Sequence, residues 1–202
     1  MSLPRHLVVF AKAPRLGRVK SRLARDIGPV AAWAFYRRTL ASVLRRLAGG
    51  GRWRAWVAVT PDAWAARQAL WPADWTVIPQ GGGDLGDRMD RAMRRLPPGP
   101  VVIVGTDIPG LSRRHVEAAF AALGGHDAVF GPASDGGYWL VGLRRRPRVA
   151  RLFAGVRWSS EHALADTLAN LGPGQTAARL EVLEDVDDGA ALARWLKGAG
   201  RG

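Results

Sequence analysis

The 202-residue chain contains no cysteine and only four histidines, and both shortages limit its chemistry. Without cysteine it has no disulfide, no thiolate nucleophile and no sulfur-ligated zinc. The histidines (His6, His115, His126 and His162) are dispersed, with no pair at helical i, i+4 spacing. A histidine-based metal site is therefore not expected, and any metal should be a hard cation held by oxygen.

Long hydrophobic runs are also missing. No window approaches the ~18 apolar residues of a membrane span. The apolar stretch at residues 7–11 ends at Lys12 and is shorter than the ~7–15 apolar residues typical of a signal peptide. A cytoplasmic enzyme or binding protein with no membrane span is the expected class.

Acidic residues are few, with 17 Asp and Glu against 30 Lys and Arg and a net charge of +13. Such an excess raises the possibility of a nucleic-acid partner. However, the arginines are spread over predicted helix surfaces, and no helix-turn-helix or aromatic single-strand platform is apparent. Nucleic acid is therefore not the expected partner, and the sequence does not indicate an oligomeric state.

Short apolar segments alternate with longer segments of helical periodicity. Strands are predicted at 7–11, 55–60, 75–79, 101–105, 128–131, 138–143 and 180–183, and helices at 29–48, 62–70, 84–96, 113–123, 159–171 and 189–197. This alternation favours an α/β sandwich with a mostly parallel central sheet. We expect one domain over residues 1–197, followed by a flexible tail at 198–202.

The turn after the first predicted strand is cationic. Seven basic residues and no acid precede Asp26, namely Arg5, Lys12, Arg15, Arg18, Lys20, Arg22 and Arg25. In a parallel sheet, ligands bind beyond the carboxyl ends of the strands, where this turn lies. Gly17 would let backbone amides approach a ligand, and a helix starting near Arg18 would add its positive end. The turn therefore predicts a phosphate site; the alternative is a solvated helix start in an arginine-rich chain.

Asp107 follows the apolar strand 101–105 within the segment GTDIPGL, at the same edge of the sheet as the cationic turn. A carboxylate among cations at a strand end suits Mg²⁺ or Mn²⁺, which take one or two protein carboxylates together with substrate phosphates. An Asx-turn, in which Asp107 accepts from nearby backbone amides, is the alternative.

A second acidic segment, LEVLEDVDDG, occupies residues 180–189. Asp188 is most simply the N-cap of the last helix. Asp185 and Asp187 alternate along the chain and would point the same way if the segment is extended. Asp187 is favoured as a second metal ligand and Asp185 is the alternative, whereas the run alone is also typical of a solvated loop.

Two further loops carry candidate binding residues. Gly81–Gly83 would allow close backbone approach, and Gln80 or Asp84 could read a base or sugar; a flexible loop with Asp84 or Asp87 capping the helix is equally compatible. The Asp135-Gly136-Gly137 segment is typical of a hairpin turn. Trp158 is either a substrate-facing aromatic residue or part of the core.

Six ordered segments together resemble one bacterial family. They are KAP at 12–14 with GRVKSRL at 17–23, GGDLGDRM at 82–89, GTDIPGL at 105–111, DGGY at 135–138, WSS at 158–160 and DVD at 185–187. The chain is similar to the radical-SAM/selenodomain-associated transferase 1 family of the GT-A, or nucleotide-diphospho-sugar transferase, superfamily. It departs from that family at Ser21, where threonine is common, and at Asp188-Gly189, where Thr-Pro is usual.

The resemblance implies a three-layer, Rossmann-like GT-A fold with one antiparallel strand, a bound nucleotide and a divalent metal, Mg²⁺ or Mn²⁺. It implies catalytic roles for Lys20, Arg22 and Asp107, with Asp107 and Asp187 as metal ligands. The implied nucleotide-binding residues are Ala11, Lys12, Pro14, Arg15, Gly17, Lys20, Gln80, Gly82, Gly83, Asp84 and Thr106. The implied acceptor-binding residues are Asp135, Gly136, Gly137, Tyr138 and Trp158.

The function that follows is metal-dependent transfer from a nucleotide donor to a phosphate or hydroxyl of a small acceptor. Such reactions depend on positioning and charge neutralisation more than on covalent chemistry. Glycosyl transfer from a nucleotide-sugar would use nearly the same residues, and a protein that binds a nucleotide without turnover is a third possibility. The sequence leaves these three open.

Overall fold

A computed structural model describes residues 3–48, 50–146 and 150–199. The strands are β1 (His6–Lys12), β2 (Arg54–Thr60), β3 (Thr76–Pro79), β4 (Val101–Val104), β5 (Ala128–Pro132), β6 (Tyr138–Leu143) and β7 (Ala177–Arg179). The α-helices are α1 (Ser21–Ile27), α2 (Pro29–Leu47), α3 (Leu85–Arg95), α4 (Arg113–Ala122), α5 (Ala163–Ala169) and α6 (Gly189–Ala199).

The seven strands form one sheet in the order β3-β2-β1-β4-β6-β5-β7. β6 runs antiparallel to both of its neighbours, and all other pairings are parallel. The predicted mostly parallel sheet with one antiparallel strand is therefore confirmed. Because β1, β2 and β4 are parallel, their carboxyl ends lie at one edge, where the loops at residues 12–20 and 105–110 emerge.

Two apolar cores cover the faces of the sheet and give the predicted three layers. On one face, Leu7 and Val9 of β1 pack with α2 and α4, and on the other Val8 packs with α3 and α5. Every residue of β4 is buried, as expected for a parallel strand covered on both sides. A smaller third cluster joins α1, α2 and α6 around Leu23 and Val186. This third cluster holds the segment before α6 against the cationic loop.

Three predicted elements differ from the structure. The predicted helix 62–70 is instead two 3₁₀ turns, Asp62–Trp64 and Gln68–Leu70, in a segment that lies between Pro61 and Pro72 and ends at the buried Trp71. The helix predicted at 159–171 begins only at Ala163, after Ser159 with a φ of 59°.

The strand predicted at 180–183 lies three residues earlier, where Ala177–Arg179 pairs with β5. The apolar residues 180–183, on which the prediction was based, follow β7 along β5 but do not form a regular strand. Leu180 N donates to Phe130 O, and Leu183 forms an isolated bridge with Ala133. The position of β7 is thus set by the residues of β5 with which it pairs, and not by the apolar pattern of the edge segment.

The last helix, α6, includes Gly198 and Ala199, where a flexible tail had been expected; residues 200–202 of that tail lie outside the described residues. Within the part of the chain that the structure describes, none of the helices has the length and apolar character needed to cross a membrane.

Candidate active site

The ammonium group of Lys20 contacts both predicted metal ligands. Its Nζ lies 2.6 Å from Asp107 Oδ1 and 2.7 Å from Asp187 Oδ1, and it donates to the carbonyl oxygen of Val186 at 2.8 Å. The Lys20 side chain is only 4% exposed, whereas those of Asp107 and Asp187 are 49% and 41% exposed. The cationic turn and the two acidic segments therefore converge on one point.

Backbone contacts fix this convergence. Asp107 lies three residues beyond the end of β4, and its carbonyl oxygen accepts a hydrogen bond from Val186 N at 3.0 Å. Asp188 is the N-cap of α6, as predicted, because its Oδ1 accepts from Ala191 N. Lys20 is the N-cap residue of α1 and has left-handed backbone angles, φ 50° and ψ 48°.

The charges at this point stabilise one another. Burial alone would lower the pKa of Lys20, but Asp107 and Asp187 more than offset it, so its pKa is raised. Burial would raise the pKa of Asp187, but Lys20 and then Arg22 outweigh it, and its pKa is lowered. The lysine is therefore protonated and Asp187 ionised at neutral pH, with Arg22 within electrostatic reach.

Asp185 lies beside this group and behaves differently. Burial, followed by the charges of Asp187 and Asp135, raises its pKa to about 6. The predicted acceptor loop, which carries Asp135, thus approaches the predicted metal ligands. Since a ligand for a hard cation must be ionised, the lowered pKa of Asp187 fits that role better than the raised pKa of Asp185.

Replacing Asp185 with asparagine should stabilise the ligand-free protein at pH 8. Its folded-state pKa of about 6 exceeds the ordinary 3.8, so the free energy of unfolding falls as pH rises between these values. After discounting for solvent screening, the pKa shift lowers the free energy of unfolding of the wild type at pH 8 by roughly 1 kcal/mol. The melting temperature of the variant should therefore be higher by about 2–4 °C.

The measurement is thermal unfolding of wild type and Asp185→Asn from pH 8 to pH 4 without added metal. The difference should shrink towards acid pH, because Asp185 is then neutral in the folded wild type. Asp74→Asn, at an exposed residue before β3 on the opposite edge of the sheet, is the control and should show no such trend. A lower melting temperature for Asp185→Asn at pH 8 would contradict the prediction.

The oxygen atoms around Lys20 Nζ are also suited to a divalent cation. Two carboxylates and the carbonyl of Val186 lie within 2.8 Å of one cationic atom. In residues 3–48, 50–146 and 150–199, no three His, Cys, Asp or Glu side chains are grouped so that they could hold a metal by themselves. Mg²⁺ and Mn²⁺ do not require such a group, since one or two carboxylates with water and phosphate suffice. The donor set therefore fits the predicted cofactor.

The cationic loop lies open at the carboxyl end of β1. Lys12, Arg15 and Gly17 are exposed, while Ala11 is buried and Pro14 partly so. The helix predicted near Arg18 begins at Ser21 and has seven residues, so its positive end lies three residues later in the chain than expected.

Two α2 residues that the sequence reading missed hold this loop. The Tyr36 hydroxyl accepts from Lys12 N at 3.0 Å and donates to Lys12 O at 2.8 Å, and Trp33 Nε1 donates to Pro14 O at 2.8 Å. Burial raises the pKa of Tyr36, so its hydroxyl stays protonated and keeps both bonds. Helical periodicity marks Tyr36 only as a core residue, and no local signal reveals its partner.

The glycine loop before α3 is held by arginines that were also missed. Arg91 donates to Gln80 O at 2.7 Å and to Gly82 O at 2.9 Å, and Arg88 donates to Gly83 O at 3.0 Å. Gly81 has a φ of 82°, and a Cβ there would overlap the Arg91 guanidinium. The carbonyls of Gln80, Gly82 and Gly83 are thus engaged by arginine side chains.

Three residues predicted to contact the nucleotide also have structural partners. Gln80 is buried, and its amide nitrogen donates to Ala11 O and Ala58 O at 3.2 and 2.8 Å. Asp84 is the N-cap of α3 in a capping box with Asp87, which was the alternative left open. Thr106 is buried beside Tyr36. The contacts of these three side chains shape the loops.

The predicted acceptor residues form a hairpin turn and the aromatic group behind it. Gly137 N donates to Asp135 Oδ1 at 2.9 Å, and the turn joins β5 to β6 as expected. Gly136 has a φ of 84°, and a Cβ there would lie 2.6 Å from Glu161 Cα, so the position requires glycine.

Tyr138 and Trp158 pack with ring centroids 6.4 Å apart. The Tyr138 hydroxyl accepts from Thr167 at 3.4 Å. Trp158 Nε1 is buried and has no hydrogen-bond partner among the described residues. Trp158 therefore belongs largely to the core, with one polar atom left unpaired next to the turn.

Comparisons with known proteins agree with this architecture. A family model described as "Uncharacterized protein conserved in bacteria (DUF2064)" matches residues 43–160, more than half of the chain. A search of curated proteins found no match. The match does not confirm the narrower resemblance to the radical-SAM/selenodomain-associated transferase 1 family.

Three solved structures have the same fold. A proposed nucleotide-diphospho-sugar transferase from Desulfovibrio desulfuricans G20 is 30% identical, with a TM-score of 0.85 over 93% of this chain and 84% of the other. Rv0371c from Mycobacterium tuberculosis H37Rv, in complex with manganese, is 16% identical, with a TM-score of 0.57 over 98% and 100%. The 4-diphosphocytidyl-2C-methyl-D-erythritol synthase from Anaerococcus prevotii DSM 20548 is 9% identical, with a TM-score of 0.61 over 96% and 98%.

Proposed function

The chain belongs to the DUF2064 family, and we propose that it is a metal-dependent transferase acting on a nucleotide donor. The observation that carries the proposal is the convergence of Lys20 with Asp107 and Asp187 at the carboxyl end of the parallel strands. Ligands of open α/β sheets bind at this edge. The relative from D. desulfuricans, which is 30% identical to this chain in sequence, supports the same general kind of reaction.

In the proposed reaction, a phosphate or hydroxyl oxygen of a small acceptor attacks the α-phosphorus of a nucleoside triphosphate in line. A new P–O bond forms to the acceptor, the bond to the β-phosphate oxygen breaks, and pyrophosphate leaves with its electron pair; a hydroxyl acceptor also gives up its proton to water. Lys20, Arg22 and the exposed Arg15 would bind the phosphates and neutralise their charge. No covalent enzyme intermediate is needed, which agrees with the absence of cysteine.

Asp107 and Asp187 would hold the divalent cation, which when bound would supply charge stabilisation at the phosphates. The N–H groups of Gly82 and Gly83 would face the nucleotide, since Arg91 and Arg88 engage the carbonyls beside them. The acceptor would lie at the turn 135–137, which approaches the acidic group through Asp135.

Glycosyl transfer from a nucleotide-sugar is a second candidate. The observation that favours it is the 30% identical relative, whose proposed activity is that of a nucleotide-diphospho-sugar transferase. The same cation and phosphate residues would then assist departure of a nucleoside diphosphate rather than pyrophosphate. The two reactions differ in the bond that breaks, so their products distinguish them.

The first test is thermal shift of the full chain against nucleoside triphosphates and nucleotide-sugars, with and without Mg²⁺ or Mn²⁺. A ligand at 100 times its dissociation constant stabilises the folded state by ~2.7 kcal/mol, which raises the melting temperature by several degrees in a chain of this size. We expect stabilisation by a nucleotide only when the divalent ion is present, because the phosphates and the carboxylates otherwise repel.

Product analysis with the stabilising donor then identifies the reaction. Pyrophosphate release with a panel of small phosphorylated and hydroxylated acceptors supports nucleotidyl transfer, and nucleoside diphosphate release supports glycosyl transfer. Binding of nucleotide without either product would instead identify a nucleotide-binding protein. Failure of every nucleotide to stabilise the chain would overturn the proposal.

A further inference from the structure

The ammonium group of Lys20 and the proposed divalent cation require the same oxygen atoms. We propose that Lys20 is a two-position residue: its ammonium pairs with Asp107 and Asp187 when no metal is bound, and a divalent cation displaces it towards the phosphates of the nucleotide. This inference rests on the proposed function, from which it takes both the metal and the phosphates. It adds a conformational device that couples the binding of the two.

The hydrogen bonds of Lys20 show why one position does not serve both partners. An ammonium group has three hydrogens, and here they have three acceptors within 2.8 Å, namely Asp107, Asp187 and the carbonyl of Val186. The side chain is 4% exposed. A phosphate would find neither a free donor nor access to the nitrogen. Phosphate binding by Lys20 therefore requires its ammonium to leave the carboxylates.

The carboxylates, in contrast, remain accessible. About half of the Asp107 side chain and 41% of the Asp187 side chain are exposed, so an ion can reach them from solvent without unfolding the loops. A doubly charged cation neutralises both carboxylates, whereas the lysine leaves one negative charge between them. Competition for this position therefore favours the divalent ion once the displaced ammonium has another anion to bind.

The backbone conformation of Lys20 also supports a side chain with two positions rather than a permanent ion pair. Its φ of 50° and ψ of 48° lie in the left-handed region, which is uncommon for residues other than glycine. Such strained conformations concentrate at ligand clamps and switch regions. The neighbouring Val19 and the nearby Leu23 are buried and hold the loop in place. The Lys20 side chain can then change position while the backbone stays fixed.

The consequence is positive coupling between metal and polyphosphate. Metal alone would leave the displaced ammonium without a partner, near the positive charge of Arg22. Polyphosphate alone would meet a lysine that is already paired, and it would be repelled by the negative charge that remains on the two carboxylates. Only the two ligands together leave every charge paired, so each should raise the affinity for the other.

Selective lysine modification tests the inference on the unaltered protein. The chain has only three lysines, Lys12, Lys20 and Lys197, so acetylation by acetic anhydride can be followed at each by peptide mass spectrometry. Lys20 should react slowly without metal, and saturating Mg²⁺ should raise its rate at least about fivefold. Inorganic pyrophosphate added with Mg²⁺ should lower the rate again. Lys197 is exposed, lies outside the proposed site and serves as the internal reference.

A matched pair of variants provides a second measurement. Lys20→Met removes the competing ammonium, and Mn²⁺ titration followed by electron paramagnetic resonance should show binding at least about fivefold tighter than in wild type. Arg18→Met changes the same net charge at an exposed residue of the same loop and should stay within about twofold of wild type. Should Lys20→Met fail to fold, the modification rates of the wild-type protein decide the question.

The outcomes separate this inference from the proposed function. If Mn²⁺ binds wild type and Lys20→Met equally, or if Mg²⁺ leaves the Lys20 modification rate unchanged, the two-position lysine is overturned while the metal site stands. If neither protein binds Mn²⁺, both the inference and the metal dependence in the proposed function fail. Tighter Mn²⁺ binding without any transferase product would support the inference and count against the proposed reaction alone.

Discussion

Replacing Asp107 with asparagine is expected to lower turnover at least about 100-fold, by analogy with the loss of one charge-stabilising group in other active sites. The substitution keeps the shape of the side chain and removes one of the two carboxylates around Lys20. A neutral amide is a poor ligand for a hard cation, so Mn²⁺ affinity should fall as well. The measurement is the rate of product release with the donor identified by thermal shift, together with an Mn²⁺ titration.

Stability separates a loss of chemistry from a loss of structure. Because the Asp107 side chain is 49% exposed, loss of its ion pair should cost no more than about 1 kcal/mol. Asp74→Asn makes the same chemical change at the opposite edge of the sheet and should leave turnover and Mn²⁺ affinity unaltered. If Asp107→Asn keeps turnover within about twofold of wild type, Asp107 has no part in transition-state stabilisation.

The second large effect is expected at Asp187. Asp187→Asn should weaken Mn²⁺ binding at least about tenfold and lower turnover with it, because one of two anionic ligands is lost. Asp187 is the residue whose pKa Lys20 and Arg22 hold below its ordinary value, so it is ionised and ready to bind a cation. The quantities to compare are the Mn²⁺ dissociation constant and the turnover rate of the two proteins.

Asp185→Asn is the matched comparison for Asp187→Asn. Asp185 lies two positions earlier in the chain, but the carboxylates that contact Lys20 Nζ are those of Asp107 and Asp187. We expect its Mn²⁺ affinity to stay within about threefold of wild type, as for the removal of a nearby charge that is not a ligand. The opposite result, with Asp185→Asn losing the metal and Asp187→Asn retaining it, would exchange the two assignments.

Much of the fold could be predicted from the sequence because local patterns carry it. The four buried residues of β4 form an uninterrupted apolar run, and the long helix α2 shows helical periodicity over almost its whole length. The hairpin at Asp135-Gly136-Gly137 follows from turn chemistry alone. The segment 62–70 is short and bounded by prolines, and its local pattern is compatible both with the predicted helix and with the two 3₁₀ turns that are found.

The candidate site could be predicted only in outline. Parallel strands end at a common edge, so the cationic turn and Asp107 had to approach one another. The anchoring contacts were not predictable, because Tyr36 lies 24 residues from Lys12 and Arg91 lies 11 residues from Gln80, with no pattern to link them. Gln80 illustrates the converse case, since a side chain that suggests ligand contact is also a buried link between β1 and β2.

The sequence by itself determined six of the seven strands, that β1 and β4 end at the same edge, and that one loop there carries only positive charge. It could not determine where the Lys20 ammonium lies. That is decided by the hydrogen bond between Val186 and Asp107 and by the left-handed backbone at Lys20, which bring together groups up to 167 residues apart. Hydrophobic periodicity and strand direction are local properties, whereas a three-way contact between distant loops exists only after the sheet and its cores have formed.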